Sequence, residues 1–259
     1  MKEKSLLVNN GINIDDSLEL LGDMDTYNET LEEFLNTIND KMSKIKQFKE
    51  SADMTNYAIL VHSLKSDAKY LGFTTLARLA YQHEMASKVN NIGYVENNYN
   101  ELITETQRII NLIKKYLGTE EITLDKKQNS TPSTNEKTIL VVDDSTIIGN
   151  LIQKICADRF NIVQASDGEE ALNFIKSNNP EDILGVLLDL NMPNVDGFEV
   201  LEFFRKNDLF INIPVVIITG DDTKETVDKT FEYSIVDVLN KPFTERDINR
   251  VVMNMINFE

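Results

Sequence analysis

A histidine beside two lysines is the first group of residues whose types and spacing could do chemistry. His62 is followed by Lys65 at i+3 and by Lys69 at i+7 of a helical pattern, so the three side chains share one side of a helix. His62 lies roughly 120° from the middle of the apolar stripe, which predicts that its imidazole faces solvent. A surface imidazole flanked by two ammonium groups is suited to carrying an anion.

The next helix supplies a partner for this imidazole. Residues 74–90 follow after a short turn, which predicts an antiparallel hairpin with His83 and Glu84 level with His62. A carboxylate at that level would accept the Nδ1–H of His62, fix the tautomer and leave Nε2 as the nucleophile. Glu84 is preferred to His83 for this role. The two histidines could instead bind a metal ion, but the neighbouring lysines oppose a cation.

A second group of polar residues follows short apolar runs in the other half of the chain. It consists of Asp143 and Asp144 after the first run, Asp189 after the third, Thr219 after the fourth and Lys241 after the fifth. Parallel strands in the order 2-1-3-4-5 would bring the three carboxylates together at the carboxyl edge of the sheet. Three carboxylates with one lysine need a cation, and ligation by oxygen alone indicates magnesium. Such a metal can hold phosphoryl oxygens against a nucleophile.

The histidine is positioned by helices. Apolar residues at helical spacing predict a short helix ending at Gly22, followed by helices over residues 25–50, 53–72, 74–90 and 92–117. Four long helices with short connections predict an antiparallel bundle over residues 1–118.

The acidic group is positioned by strands. Residues 119–136 lose all periodicity and are rich in Ser, Thr and Asn, which predicts a flexible linker. Five apolar runs then alternate with helical stretches, at residues 138–142, 161–165, 183–188, 214–218 and 234–239. This alternation predicts a flavodoxin-like (βα)5 domain over residues 137–259, with a parallel sheet covered on both faces. The chain is therefore expected to be multi-domain, an all-α bundle joined to an α/β domain.

The first half resembles the histidine-containing phosphotransfer (HPt) family. The resemblance rests on His62-Ser63-Leu64-Lys65, on Leu71-Gly72 and on an acidic residue 22 positions after the histidine. HPt domains are four-helix bundles whose surface histidine accepts and passes on a phosphoryl group. The resemblance implies that His62 is the phosphoacceptor, Lys65 its electrostatic partner and Glu84 the residue that orients the ring. The chain departs from the family at Ser66, usually Gly, and at Lys69, usually a small residue.

The second half resembles the receiver domain of response regulators over about residues 137–259. The motifs are Val142-Asp143-Asp144-Ser145, Leu188-Asp189-Leu190-Asn191-Met192-Pro193, Asp196-Gly197, Ile218-Thr219-Gly220 and Asn240-Lys241-Pro242-Phe243.

The receiver resemblance implies a role for each of these polar residues. Asp189 would be the phosphoacceptor, and Thr219 and Lys241 would grip the phosphoryl oxygens. Asp144, Asp189 and the carbonyl of Asn191 would bind magnesium, with Asp143 acting largely through water. The chain departs from the family at Val238, where receivers commonly have Tyr or Phe.

Composition limits the partners and the compartment. The formal charge of −17 argues against binding to nucleic acid or to anionic membranes. The single cysteine, Cys156, is expected in the core and indicates a reducing compartment. No apolar stretch approaches the roughly 18 residues of a membrane span. The expected location is the cytoplasm.

These observations predict a phosphorelay protein that is not an enzyme in its own right, since no phosphate-binding loop of a kinase is present. Its expected partners are a sensor histidine kinase and other receiver or HPt proteins. One alternative is a docking module, in which Asp189 is phosphorylated while the bundle transfers nothing. A second is an aspartyl-phosphate phosphatase of the haloacid dehalogenase type, which would need Asp where the chain has Asn191.

Overall fold

The computed structural model describes residues 3–118, 137–220 and 224–258. The chain divides into two compact units, residues 1–130 and 131–259. The predicted linker, residues 119–136, lies outside the described residues, so its flexibility stays a prediction. Across the described ranges, no helix combines the length and the apolar content that a membrane crossing needs.

The described part of the first unit is helical, as predicted. Its helices are α1 (Lys4–Val8), α2 (Ile14–Leu21), α3 (Met24–Glu50), α4 (Met54–Tyr70), α5 (Thr74–Lys88) and α6 (Ile92–Leu117). α3 and α5 each contact both α4 and α6, so the four long helices close into a bundle. The predicted four-helix bundle is confirmed, and the short α1 is an addition to it.

Local chemistry sets the hairpin that carries the histidine. Asp53 caps α4 by accepting a hydrogen bond from the Asn56 backbone N–H at 3.1 Å. After α4 the chain turns at Gly72, whose φ of +71° is in the left-handed region that favours glycine. A Cβ at Gly72 would lie 2.2 Å from the backbone oxygen of Asn13, so the close approach also excludes a side chain. This turn returns α5 alongside α4.

The second unit has the predicted α/β architecture. Its elements are β1 (Thr138–Val142), α7 (Thr146–Cys156), β2 (Asn161–Ala165), α8 (Gly168–Ser177), β3 (Ile183–Asp189), α9 (Gly197–Lys206), β4 (Val215–Thr219), α10 (Lys224–Thr230), β5 (Asp237–Asn240) and α11 (Glu245–Ile256), with short 3-10 turns at Pro180–Asp182 and Leu209–Ile211. All strand pairs are parallel and the order is β2-β1-β3-β4-β5, which confirms the predicted sheet. The side chains of β4 are buried throughout, and Cys156 is in the core as expected.

The register of the sheet brings the polar residues together. Val142 of β1 is paired with Leu188 of β3, so the residues that follow them, Asp143 and Asp189, end neighbouring strands. Thr219 at the end of β4 is paired with Asn240 of β5, and Lys241 comes next.

Candidate functional sites

The hairpin of α4 and α5 brings His62 and Glu84 into direct contact. His62 Nδ1 lies 2.7 Å from Glu84 Oε1, and the two side chains are 2% and 0% exposed. The spacing left both Glu84 and His83 as partners, and the structure pairs the histidine with Glu84, the one that was preferred.

The expectation that His62 faces solvent is wrong. His62 and Lys65 are both buried, as is nearly all of α4 from Tyr57 to Tyr70, with Lys69 an exposed exception. The prediction counted only apolar residues when it assigned the covered face of the helix. Polar residues of α4 are also covered because they pair with neighbouring helices: His62 and Lys65 bond to α5, and Asp67 bonds to Lys41 of α3 at 2.5 Å.

Glu84 is the centre of a charged cluster. Lys65 Nζ lies 2.7 Å from Oε2, while Lys88 Nζ lies 2.9 Å from Oε1, the oxygen that also contacts His62. Burial alone would raise the pKa of Glu84, but the hydrogen bonds and charges of His62 and Lys65 outweigh burial and lower this pKa well below its usual range. Burial lowers the pKa of Lys65, and Glu84 acts in the opposite direction.

This cluster determines what each ring nitrogen of His62 can do. An ionised Glu84 can only accept hydrogen bonds, so the proton of a neutral His62 is on Nδ1. The lone pair is then on Nε2, which is buried and receives no hydrogen bond from any described residue. Buried polar atoms nearly always have a partner, so an exception requires an explanation. A nitrogen kept available as a nucleophile would provide one.

Lys88 was missed by the sequence reasoning. It follows Glu84 by four positions on α5, a spacing that brings side chains together on a helix. The same spacing joins Asp40 to Lys44 on an exposed surface at 2.9 Å, so spacing alone could not have marked Lys88 as part of the site.

His83 has a separate environment. Its ring is fully buried, and Nδ1 lies 2.8 Å from the hydroxyl of Tyr57. Burial lowers the pKa of His83, with Asn98 and Glu101 acting in the opposite direction. Neither histidine belongs to the one cluster of metal-ligating side chains found among residues 3–118, 137–220 and 224–258.

That cluster is the acidic group at the edge of the sheet. One carboxylate oxygen each from Asp143, Asp144 and Asp189 lie within 4.8 Å of one another. Lys241 Nζ lies 2.7 Å from Asp143 Oδ2 and 2.6 Å from Asp189 Oδ2. Burial raises the pKa of Asp143, with Lys241 opposing it and the other two carboxylates adding to it. The charges of Asp143 and Asp189 raise the pKa of Lys241 although burial lowers it.

The donor set of this cluster fits a divalent cation. The three clustered carboxylates outnumber the single ammonium group of Lys241, which contacts two of them, so the mostly buried site has more acidic than basic groups. Oxygen ligands of this kind are those that magnesium prefers.

The remaining predicted residues surround Asp189. Thr219 is buried at the end of the neighbouring strand β4. The backbone N–H of Asn191 donates to Asp189 Oδ1 at 3.2 Å, while Asn191 Nδ2 has no hydrogen-bond partner among the described residues. Val238 is half-buried on β5 opposite Ile217, so no aromatic side chain occupies that position.

The Asp196-Gly197 motif positions the start of α9. Asp196 caps α9 in a capping box with Glu199. A Cβ on Gly197 would lie 2.3 Å from the backbone oxygen of Asp189, so glycine lets α9 begin directly against the phosphoacceptor candidate.

Comparisons with known proteins agree with this division of the chain. Residues 27–112 match the family model of the Hpt domain, and residues 139–253 match that of the response regulator receiver domain. The chain is 34% identical over 134 residues to the CAI-1 autoinducer sensor kinase/phosphatase CqsS of Vibrio cholerae, covering 50% of this chain and 19% of that protein. It is 36% identical over 116 residues to the alkaline phosphatase synthesis transcriptional regulatory protein PhoP of Bacillus subtilis, covering 44% and 45%.

Solved structures of receiver domains are also similar to part of this chain. The receiver domain of the Francisella response regulator 1452 is 30% identical, with 48% of this chain and 99% of that chain covered and a TM-score of 0.42. The chain spans less than half the length of the two curated relatives.

Proposed function

Because the chain combines an Hpt domain at residues 27–112 with a response regulator receiver domain at residues 139–253, we propose that it is a two-station phosphorelay protein of a two-component system. His62 and Asp189 are the two phosphoacceptors. The observation that carries the proposal is the environment of His62, whose Nδ1 is held by Glu84 while Nε2 is without a hydrogen bond among the described residues.

At His62, Nε2 attacks the phosphorus atom of a partner's aspartyl phosphate. The N–P bond forms, the acyl-phosphate P–O bond breaks and the partner's carboxylate leaves. Nδ1 keeps its proton, so the ring becomes positively charged next to ionised Glu84. Lys65 neutralises part of the negative charge near the ring and fixes the other oxygen of Glu84.

At Asp189, a carboxylate oxygen attacks the phosphorus atom of a partner's phosphohistidine. The O–P bond forms, the N–P bond breaks and the imidazole leaves. Lys241 and Thr219, at the ends of β5 and β4, hold the phosphoryl oxygens. The carboxylates of Asp143, Asp144 and Asp189 and the carbonyl of Asn191 would hold magnesium. When bound, magnesium would supply positive charge against the phosphoryl oxygens.

The partners follow from these two reactions. A sensor histidine kinase, or another receiver or HPt protein, would exchange phosphoryl groups with the chain. The chain itself carries the group and has no kinase activity, and it engages neither nucleic acid nor the membrane interior. The cytoplasmic location remains a prediction from composition.

The test is phosphorylation of the whole protein by a small-molecule phosphodonor with magnesium, followed by intact mass. Wild type is compared with Asp189→Asn and His62→Gln, and acid and base lability distinguish phosphohistidine from acyl phosphate. Label at Asp189 together with acid-labile label that needs His62 supports both stations. Absence of any label in wild type would overturn the receiver assignment.

One observation favours a second candidate function. The 2% exposure of His62 is what a docking bundle without transfer activity would show. In that case a histidine kinase with its own HPt partner would phosphorylate Asp189, and His62→Gln would leave the phosphoryl flux unchanged. A drop in flux in His62→Gln would exclude this candidate.

A further inference from the structure

We propose that Lys88 is a positioning residue that sets how strongly Glu84 holds His62 and, through it, how readily phosphorylated His62 gives up its phosphoryl group. The inference rests on the proposed function of His62 as a phosphoacceptor. It assigns a role to a residue that neither the motif nor the spacing argument marked.

The geometry separates Lys88 from the other lysine on Glu84. Lys65 contacts Oε2 and leaves Oε1 to His62. Lys88 contacts Oε1 itself, at 2.9 Å against 2.7 Å for His62 Nδ1, so the lysine and the imidazole share one oxygen. When the Lys88 ammonium group also donates to Oε1, that oxygen has less negative charge available for its hydrogen bond with His62 Nδ1.

The two lysines also differ in exposure. The Lys65 side chain is 5% exposed, so its removal would disturb packing and charge together. The Lys88 side chain is 36% exposed, so its replacement removes much less buried surface than replacement of Lys65 would. A difference in phosphoryl chemistry can therefore be separated from a loss of structure.

The chemical consequence follows from the transfer step. When His62 is phosphorylated on Nε2 with its proton on Nδ1, the ring is positively charged and is a good leaving group. A stronger hydrogen bond from Nδ1 to Glu84 draws the Nδ1 proton towards the carboxylate and reduces the positive charge of the ring. The imidazole is then a poorer leaving group, and the N–P bond breaks less readily. Lys88 weakens this hydrogen bond by sharing Oε1, and so favours onward transfer. No additional proton or co-reactant is needed, because only the phosphoryl group passes between the imidazole of His62 and the carboxylate of the receiving aspartate.

The experiment uses two full-length proteins. The His62→Gln protein, phosphorylated on Asp189, is the donor, and the Asp189→Asn protein is the acceptor whose His62 receives the group. Acceptors that also carry Lys88→Gln, Lys88→Arg or Lys44→Gln are compared by intact mass at equilibrium. Lys44→Gln is the matched control, since Lys44 also bonds an acidic residue four positions earlier at 2.9 Å.

We expect Lys88→Gln to raise the equilibrium ratio of phosphorylated to free His62 by about two- to fivefold, the range for a partly exposed ion pair. Lys88→Arg should restore the original ratio, and Lys44→Gln should leave it unchanged. A Lys88→Gln ratio equal to that of Lys44→Gln overturns the role of Lys88 while leaving His62 as phosphoacceptor.

A second measurement covers the case in which no acceptor takes up the group from this donor, which would mean that His62 exchanges with a different protein or transfers nothing. The Nδ1 proton and nitrogen resonances of His62 are compared in the unphosphorylated proteins by NMR. Lys88→Gln should shift them and Lys44→Gln should not. Unchanged resonances in Lys88→Gln overturn the inference whatever the fate of the phosphoryl group.

Discussion

The two proposed phosphoacceptors have opposite charge balances. Around His62, a single carboxylate, Glu84, contacts two ammonium groups as well as the imidazole. Around Asp189, a single ammonium group, that of Lys241, contacts two carboxylates, with Asp144 close by. The bundle thus presents an excess of positive charge to an incoming phosphoryl group, while the sheet presents an excess of negative charge.

This difference predicts that the proposed phosphoryl chemistry needs a divalent cation at the sheet and none at the bundle. A dianionic phosphoryl group on His62 is attracted by the buried ammonium group of Lys65 without a metal ion, whereas the more exposed Lys88 is proposed to act on it mainly through Glu84. At the sheet the same group would be repelled by Asp143 and Asp144 unless a divalent cation balanced them. His62 and Asp189 are both buried, and burial strengthens the attraction at the bundle as well as the repulsion at the sheet.

The largest effect is expected from removing the single cation of the acidic site. Lys241→Gln would leave Asp143 and Asp189 buried without their ammonium partner. We expect the free energy of unfolding of the second unit to fall by about 3–5 kcal/mol in the absence of magnesium. Hydrogen exchange of the buried amides of β1, β3 and β4 in the full chain measures this loss.

Two comparisons test the electrostatic cause of that loss. Lys206→Gln, which removes an exposed lysine 3.5 Å from Glu202, should change exchange little. Added magnesium should recover part of the stability of Lys241→Gln, because the ion replaces the missing positive charge. Equal exchange rates in Lys241→Gln and Lys206→Gln would contradict the charge balance described above.

The two sites also differ in how far the sequence could predict them. The acidic site follows from strand ends alone, because parallel strands in the order 2-1-3-4-5 place Asp143 and Asp189 side by side whatever the loops do. Likewise, counting outward from the turn at Gly72 placed His83 and Glu84 level with His62, and the preference for a carboxylate partner selected Glu84, which the structure shows in contact with His62. Both predictions depend on backbone periodicity, which the sequence encodes directly.

The parts that were missed depend on side-chain pairing. The burial of His62 and Lys65 could not be predicted from an apolar stripe, since polar partners on α5 cover them. The role of Gly197 depends on how closely α9 approaches the carbonyl of Asp189, a distance that no pattern of residue types expresses. Lys88 has the same spacing from an acid as an ordinary surface lysine, so only its contact with a buried oxygen distinguishes it.

A smaller effect, on phosphorylation and not on folding, is expected from removing divalent cations. With a chelator present, labelling of Asp189 by a small-molecule phosphodonor should fall by about a hundredfold, because the phosphoryl oxygens lose their strongest positive partner. Labelling of His62 in Asp189→Asn by phosphoramidate should be unchanged. Intact mass with and without the chelator measures both. Equal losses at the two residues would contradict the proposed difference between the sites.

The smallest effect concerns the other histidine of the bundle, for which the described part of the chain shows no hydrogen-bonded carboxylate. His83 bonds to the hydroxyl of Tyr57, also packs against Tyr94, and has a pKa lowered by burial from the ordinary value of 6.5. The imidazole of His83 therefore binds its second proton more readily in the unfolded chain than in the folded bundle. The contribution of His83 to stability is complete above pH 6.5 and is lost as the pH falls from there towards the lowered pKa.

His83→Gln should remove this dependence while keeping an acceptor for Tyr57. Urea unfolding of the full chain, followed by far-ultraviolet circular dichroism, gives the free energy of unfolding at each pH. The free energy of unfolding of wild type minus that of His83→Gln should be constant above pH 6.5 and should decrease below pH 6.5. Contributions from distant carboxylates are the same in both proteins and cancel. If this difference in free energy stayed constant across the whole pH range, His83 would be protonated as easily in the folded bundle as in the unfolded chain. Burial without a carboxylate partner would then not exclude the charged imidazolium.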